Sequence, residues 1–199
     1  MEYFLQGLTM GLAYVAPIGV QNLFVINSAL TQNRLRALLT ALIVIFFDIT
    51  LALACFFGIG VIMEHYQWLQ MFIILVGSLI IIYIGVSLLR DKGSEIVRNA
   101  PPPSITSTIY TAYVVTWFNP HAIIDGTMML GAFNASLPPS QSTAFILGVA
   151  TASCVWFTGL AMTISLLSDR FNARVLRAIN LVCGVVIIFF GCKLLLNLI

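Results

Sequence analysis

Residues 37–63 read ALLTALIVIFFDITLALACFFGIGVIM, an apolar run that contains one charged side chain, Asp48. About 20 consecutive apolar residues are enough for a helix to cross the hydrocarbon core of a bilayer. The rest of the chain has the same character, because 60% of its 199 residues are hydrophobic and 8% are charged. A soluble domain of this length carries about a quarter charged residues, so the chain is predicted to be an integral membrane protein.

Six apolar runs of this kind follow one another along the chain. In lipid the backbone must satisfy its own hydrogen bonds, and the runs lack the alternation of barrel strands, so each run predicts a helix. The predicted fold is all-α, a polytopic membrane protein forming a single membrane domain over residues 1–199. The predicted spans are residues 3–30, 37–63, 68–89, 105–133, 143–167 and 175–198.

The connections between these runs differ in charge. Eight of the nine Lys and Arg residues lie in or beside the connections one–two, three–four and five–six: Arg34, Arg36, Arg90, Lys92, Arg98, Arg170, Arg174 and Arg177. Connections two–three and four–five contain none. Positive charge accumulates on the cytoplasmic side, so both termini are predicted to face away from the cytoplasm. The exception, Lys193, lies near the outer end of the sixth run, where its side chain can snorkel.

The two halves of the chain are similar to each other. Residues 77–85 read GSLIIIYIG in the third run, and residues 184–191 read GVVIIFFG in the sixth. A three-helix unit repeated once must point in opposite directions, which is the inverted repeat of many secondary transporters. The predicted repeats cover about 1–90 and about 105–199, with a cytoplasmic loop at about 91–104.

The first and fourth runs are interrupted at corresponding places. Pro17–Asn22 interrupts the first run, and Asn119, Pro120 and His121 interrupt the fourth. Asn followed by Pro is typical of a helix start, with Asn as N-cap and Pro as first residue. Both helices are therefore predicted to be broken in mid-membrane, and a new N-terminus there would attract a carboxylate. The alternative is a plain proline kink.

Two acidic residues lie deep in the apolar runs. Asp48 is at the centre of the second, and Asp125 lies one turn beyond His121 on the same helix face. A charge inside the membrane is costly and usually indicates an ion path or a substrate site. The alternative is a neutral aspartate with a structural hydrogen bond. The Gln21 and Asn22 amides could line the same cavity or join helices.

These features together predict one substrate site near the bilayer centre, where the two breaks meet. A carboxylate of the substrate would lie on the half-helix after Asn119, and a cationic group would face Asp48 or Asp125. The same two aspartates are the candidate carriers of a coupling proton. No catalytic residue, metal site or cofactor is predicted. The candidate substrate-binding residues are Pro17, Gly19, Gln21, Asn22, Asp48, Asn119, Pro120, His121 and Asp125.

Several of these pieces are similar to the lysine/arginine exporter (LysE) family of bacterial amino-acid exporters. One departure is Val20, where the family pattern usually has proline, and it affects the shape of the first break. The matching pieces are PIGVQN at residues 17–22, Asp48, TWFNPH at residues 116–121 with Asp125, WFTGLA at residues 156–161, and INLVCG at residues 179–184.

The resemblance implies an exporter of amino acids in the bacterial inner membrane. Basic amino acids, lysine and arginine, are the expected substrates. The resemblance also implies coupling to the proton gradient, and the chain has no ATP-binding loop that would supply another drive. The expected partners are an amino-acid substrate, a proton, membrane lipid and a second copy of the chain. Nucleic acid is not expected, because the net charge is only +2.

Two other function classes fit parts of the pattern. Asp48, His121 and Asp125 could coordinate a divalent metal, which would make the protein an inorganic cation transporter, although such ligands are few here. An intramembrane enzyme would need a motif such as H-E-x-x-H or G-x-S-x-G, and the sequence has neither. The protein is therefore not expected to be an enzyme.

The charge bias predicts the orientation of the C-terminus. A reporter that is active only outside the cytoplasm should be active when fused after Ile199, and a cytoplasmic reporter at the same place should be inactive. Activity of the cytoplasmic reporter alone would contradict the six-span topology. A five-span topology, with one apolar run re-entrant, would then replace it.

Overall fold

The computed structural model describes residues 1–17, 19–58, 66–90 and 103–167, together with isolated positions between residues 177 and 196. This part of the chain is built from helices and contains no strand, which confirms the predicted all-α class for it. The α-helices are α1 (Glu2–Val15), α2 (Val20–Thr31), α3 (Arg34–Phe57), α4 (Gln67–Arg90), α5 (Ile105–Trp117), α6 (Pro120–Gly126), α7 (Ala132–Ser136) and α8 (Ser142–Leu167).

The helices follow the predicted apolar runs closely. The first run contains α1 and α2, and the fourth contains α5, α6, a π-helical segment at Thr127–Gly131, and α7. A short 3₁₀ turn at Pro139–Gln141 leads into α8. The second run was predicted to extend to residue 63, and its residues 59–65 lie outside the described residues, as does most of the sixth run at 175–198.

Local sequence signals set the ends of the central helix α3. At its start, the Asn33 side chain accepts a hydrogen bond from the Arg36 backbone N–H at 2.9 Å, as an N-cap residue does. At its end, Gly58 adopts a left-handed conformation with φ 113°, which glycine reaches without a Cβ clash. The apolar segment between these two signals is therefore a continuous helix of 24 residues.

By length and composition, two helical stretches in the described part could cross a membrane, Arg34–Phe57 and Pro139–Leu167. The pair α1 and α2 would count as a third if taken as one span, and its two halves meet at an angle of 77°. The first and fourth runs are thus interrupted where the sequence predicted. The six-span count, the inverted repeat and the membrane depth of the breaks stay predictions.

In the described part of the chain, α1 and α8 make a close backbone contact. A Cβ atom on Gly7 would overlap the Phe145 carbonyl oxygen, and a Cβ atom on Gly148 would overlap the Phe4 carbonyl oxygen. One turn further along, a Cβ on Gly11 would lie 2.7 Å from the Ala152 Cβ. Small residues at this spacing let two backbones approach closely in a membrane, where burial of apolar surface drives association only weakly.

The helix α3 lies at the centre of the described bundle, in contact with α2, α5 and α8. Its Phe56 ring stacks on Phe145 of α8 with centroids 5.6 Å apart, and Phe145 stacks on Phe133 of α7 at 5.1 Å. Both Phe56 and Phe145 are fully buried. Because neighbours surround α3, a polar side chain on its inner face cannot reach water and must find a partner within the protein.

The helix α4 packs against the interruption between α5 and α6. A Cβ atom on Gly77 would lie 2.6 Å from the Phe118 carbonyl oxygen and 2.7 Å from Pro120 Cγ. Only a glycine therefore leaves room for the backbone turn at this point. The contact covers the interruption from the α4 side and explains why Gly77 is buried.

The contact of α1 with α8 predicts a large difference between two glycines of α8. Gly148→Ala should lower the stability of the protein by about 1–3 kcal/mol, because the new methyl group overlaps backbone that cannot rotate away. Gly159→Ala is the matched control, since a Cβ there meets nothing within 4 Å. The control should leave stability unchanged or raise it by up to about 1 kcal/mol through helix propensity. Thermal unfolding of the purified variants in detergent measures both effects, and equal melting temperatures would contradict the packing described.

Candidate functional site

Asp48 lies in the middle of α3 and is completely buried. Ser153 Oγ of α8 donates to its Oδ2 at 2.6 Å, and Gln21 Nε2 of α2 donates to its Oδ1 at 3.3 Å. The same Gln21 amide nitrogen also donates to Thr116 Oγ1 of α5 at 3.0 Å. We call these four residues the Asp48 cluster. It joins one helix from each of four different sections of the chain.

The Asp48 carboxylate is held by neutral groups. Its two described donors are an amide and a hydroxyl, so neither supplies a positive charge. A buried carboxylate without an opposite charge is costly, and a proton or a cation close to it removes that cost. The Asp48 cluster is therefore suited to binding a cation or to taking up a proton within the protein interior.

The Asn22 side chain forms hydrogen bonds with the backbone carbonyl groups at the first helix break. Its Nδ2 donates to the Val15 carbonyl at 3.0 Å and to the Pro17 carbonyl at 2.7 Å, and its Oδ1 accepts from Trp156 Nε1 at 2.8 Å. Carbonyl groups at the end of α1 would otherwise lack partners, because the helix stops there. The Asn22 side chain thus joins α1, α2 and α8, and its predicted place in a substrate site stays a prediction.

Gln21 and Asn22, which are adjacent at the first break, therefore have different hydrogen-bond partners. Gln21 contacts the Asp48 carboxylate, whereas Asn22 points to the backbone of the break and to α8. Gly19 is the N-cap residue of α2 in an extended conformation, and Pro17 is exposed. The start of α2 also packs against Val115, one turn before the second break.

The second break has the form that the sequence predicted. Asn119 occupies the N-cap position of α6 and Pro120 is its first residue, and both are buried. The Asn119 side chain makes no capping hydrogen bond to the first turn of α6. Gln21 and Thr116 link the two breaks, because Thr116 lies three residues before Asn119.

His121 and Asp125 form a second polar group. The His121 Nδ1 and Asp125 Oδ2 atoms are 2.7 Å apart across one turn of α6, and the side chains are 47% and 39% exposed. Asp125 is therefore much more accessible than Asp48. The two aspartates share no hydrogen-bond partner among the described contacts. The structure thus divides the predicted site into the buried Asp48 cluster and the His121–Asp125 pair.

Sequence reasoning missed several residues of this region. Ser153 and Thr116 gave no signal, because single hydroxyl residues are common in membrane helices. Tyr14, in the last turn of α1, is buried and lies within electrostatic range of both Asp48 and Asp125. In the sequence, only the position of Tyr14 shortly before the first break indicated that it could belong to this region.

Comparison with known proteins gives one family and a set of relatives. A family model described as "LysE type translocator" matches residues 12–198. Arginine exporter protein ArgO of Klebsiella pneumoniae strain 342 is 32% identical over 197 residues, which cover 96% of this chain and 92% of that protein. ArgO of Escherichia coli K12 is 31% identical over 198 residues, covering 97% and 93%. No solved structure matches.

The hydrogen bonds of Asn22 predict that it is a structural residue. Asn22→Ala should lower the stability of the protein by roughly 2–4 kcal/mol, because it leaves two carbonyl groups and the Trp156 indole N–H without partners. Asn27→Ala, at an exposed position of the same helix, is the control and should have almost no effect. Melting temperatures in detergent provide the measurement. If Asn22→Ala melted with the control but lost transport, Asn22 would belong to the substrate site instead.

Proposed function

This chain belongs to the LysE type translocator family, and from that premise we propose that it exports amino acids across the bacterial inner membrane. At the level of the family it is a transport protein and not an enzyme. The relatives are named arginine exporters, and their enterobacterial sources support an inner-membrane location. The substrates to test first are therefore arginine and lysine.

The observation that carries this proposal is the burial of Asp48 among neutral donors. Asp48 is 0% exposed, and its described partners are Gln21 and Ser153. A purely structural role would be served as well by a neutral side chain, which avoids the cost of a buried charge. A carboxylate in this position instead suits a protein that binds a cation during part of its cycle.

A basic amino acid fits the arrangement of charges and helix ends. Its cationic group would pair with Asp48 or Asp125, and its α-carboxylate would lie at the start of the helical stretch after Asn119, where backbone N–H groups lack helical partners. Neutralisation of both ends of the zwitterion lowers the cost of binding inside the membrane. Val20 stands where the family pattern usually has proline, and this difference affects the shape of the first break.

Proton coupling is part of the proposal. Asp48 is sealed from water, whereas Asp125 is 39% exposed and lies beside His121, a group that binds and releases protons readily. Protonation of Asp48 would remove the buried charge after the substrate cation has left. The two aspartates would thereby carry a proton in place of the substrate cation while the empty protein returns to its starting state.

The helix contacts support the proposed inverted repeat of two three-helix units. Helix α1 of the first unit packs on α8 of the second, and α5 of the second packs on α3 of the first. This exchange of partners is what a twofold relation between the units would produce. The broken helices would occupy equivalent places, as in transporters that bind substrate between their repeats.

A divalent-metal transporter, the other function considered, is not favoured. No group of three or more His, Cys, Asp or Glu residues in the described residues could hold a metal ion. The named relatives are exporters of arginine. Asp48 and the His121–Asp125 pair are held in separate hydrogen-bonded groups, which gives a metal too few ligands at one point.

Transport into inside-out vesicles tests the function. A pH gradient should drive uptake of labelled arginine, and a protonophore should abolish the driven part. Asp48→Asn and Asp125→Asn, which keep the shape and remove the charge, should each lower the initial rate by about tenfold or more. Glu2→Gln, at an exposed carboxylate of the N-terminus, is the control and should transport normally.

Different outcomes separate the parts of this proposal. No uptake of any amino acid by well-folded protein would reject amino-acid export. Normal rates in both folded aspartate variants would assign Asp48 and Asp125 to structure. Downhill uptake that persists in Asp48→Asn without a response to the pH gradient would identify Asp48 as the proton carrier.

A further inference from the structure

Two hydroxyl groups near the Asp48 cluster are buried. Neither the Tyr14 hydroxyl nor the Thr127 hydroxyl has an oxygen or nitrogen partner in the described part of the chain, and the Thr127 hydroxyl contacts only the Cys55 thiol there. Tyr14 is only 9% exposed. A buried hydroxyl without a partner is destabilising, and native proteins keep few of them. Such groups at one place indicate that something else supplies the missing partner.

Both hydroxyls lie around the same glycine. A Cβ atom on Gly126 would lie 2.8 Å from Cys55 Sγ and 3.3 Å from Tyr14 Cε2, a ring carbon next to the one that carries the hydroxyl. Thr127 follows directly, and its hydroxyl lies beside the Cys55 thiol. The thiol itself faces the Ile123 carbonyl at 3.7 Å. The absence of a side chain at Gly126 therefore brings the two hydroxyl groups into one region.

The Thr127 hydroxyl lacks the backbone hydrogen bond that several other threonine hydroxyls make in these helices. The hydroxyls of Thr9, Thr31 and Thr151 each donate to the carbonyl four residues earlier, at 3.0, 2.7 and 2.7 Å. Thr127 begins the π-helical segment Thr127–Gly131 and makes no such bond. π-helical turns occur frequently at functional sites. The local backbone thus leaves the Thr127 hydroxyl available to a ligand.

The charges around this region select the kind of ligand. Tyr14 lies within electrostatic range of the carboxylates of both Asp48 and Asp125. Hydroxyl oxygens in a region that also holds two carboxylates attract a cation with several N–H donors and disfavour an anion. A guanidinium group has five N–H donors and an ammonium group has three, so both match a set of oxygen acceptors.

We propose that the Tyr14 and Thr127 hydroxyls beside Gly126 form the subsite for the cationic end of a basic amino acid's side chain. This inference rests on the proposed function and makes it more specific. The two hydroxyls determine selectivity, because they are satisfied only when a ligand carrying N–H donors is present. A side chain that is short or has no N–H donor leaves them unpaired and is disfavoured.

The transport test uses two variants that remove only the hydroxyls, Tyr14→Phe and Thr127→Val. Initial rates are measured in inside-out vesicles with arginine, lysine and norleucine, which is lysine without its ammonium group and so has no N–H donor in its side chain. In each variant the KM for arginine should rise about tenfold, while the maximum rate and the KM for norleucine should not change. Tyr110→Phe and Thr9→Val, at exposed positions, are the controls.

A second measurement separates a binding role from a structural one. Tyr14→Phe should raise the melting temperature of the substrate-free protein, because it removes a buried hydroxyl without a partner. The same variant should lose most of the stabilisation that arginine gives to the unaltered protein. A lower melting temperature with unchanged stabilisation by arginine would make Tyr14 structural and overturn the inference.

The remaining outcomes are also decisive. Equal increases in KM for arginine and norleucine, or no increase, would overturn the subsite while leaving amino-acid export in place. A lower maximum rate with unchanged KM would assign the Tyr14 hydroxyl to proton transfer instead. Export of neutral amino acids alone by the unaltered protein would reject the cationic subsite, and absence of all amino-acid transport would reject the proposed function itself.

Discussion

The burial of one carboxylate constrains the arrangement of the helices around it. Asp48 lies at the centre of α3, surrounded by other helices, and cannot be hydrated by bulk water. Its hydrogen bonds must therefore come from neighbouring helices, and Ser153 and Gln21 supply them. Gln21 can do so because the first apolar run bends at its break and turns the start of α2 toward α3. The break is thus needed for the hydrogen bonds that replace water around Asp48.

The contact of α1 with α8 completes this arrangement. Glycines on both helices bring the backbones together, and the contact places Trp156 of α8 where its indole N–H reaches Asn22 beside the break. Asn22 in turn holds the carbonyl groups at the end of α1. Small residues, a break and a buried polar network are therefore interdependent, as expected where helices associate through packing and hydrogen bonds.

The sequence predicted the parts of this structure that depend on local signals. The helical form of the described apolar runs, the start of α6 at Pro120 and the burial of Asp48 all follow from composition, from the Asn-Pro pair and from the cost of a charge in lipid. The different roles of Gln21 and Asn22 could not be predicted, because neighbouring residues point about 100° apart on a helix. Which one meets Asp48 depends on the rotation of α2, which packing sets. The positions of the Tyr14 and Thr127 hydroxyls could not be predicted for the same reason.

The partnership of α1 and α8 also has a consequence for how the chain is made. Gly7 is synthesised at the beginning of translation, and its contact Phe145 is added almost 140 residues later. At about 5–20 residues per second, the first helix waits on the order of ten seconds for its partner. During that time its glycine face and the Asn22 side-chain oxygen are without their final contacts to Phe145 and Trp156. Assembly of the polar interior is therefore a late event, completed after most of the chain has left the ribosome.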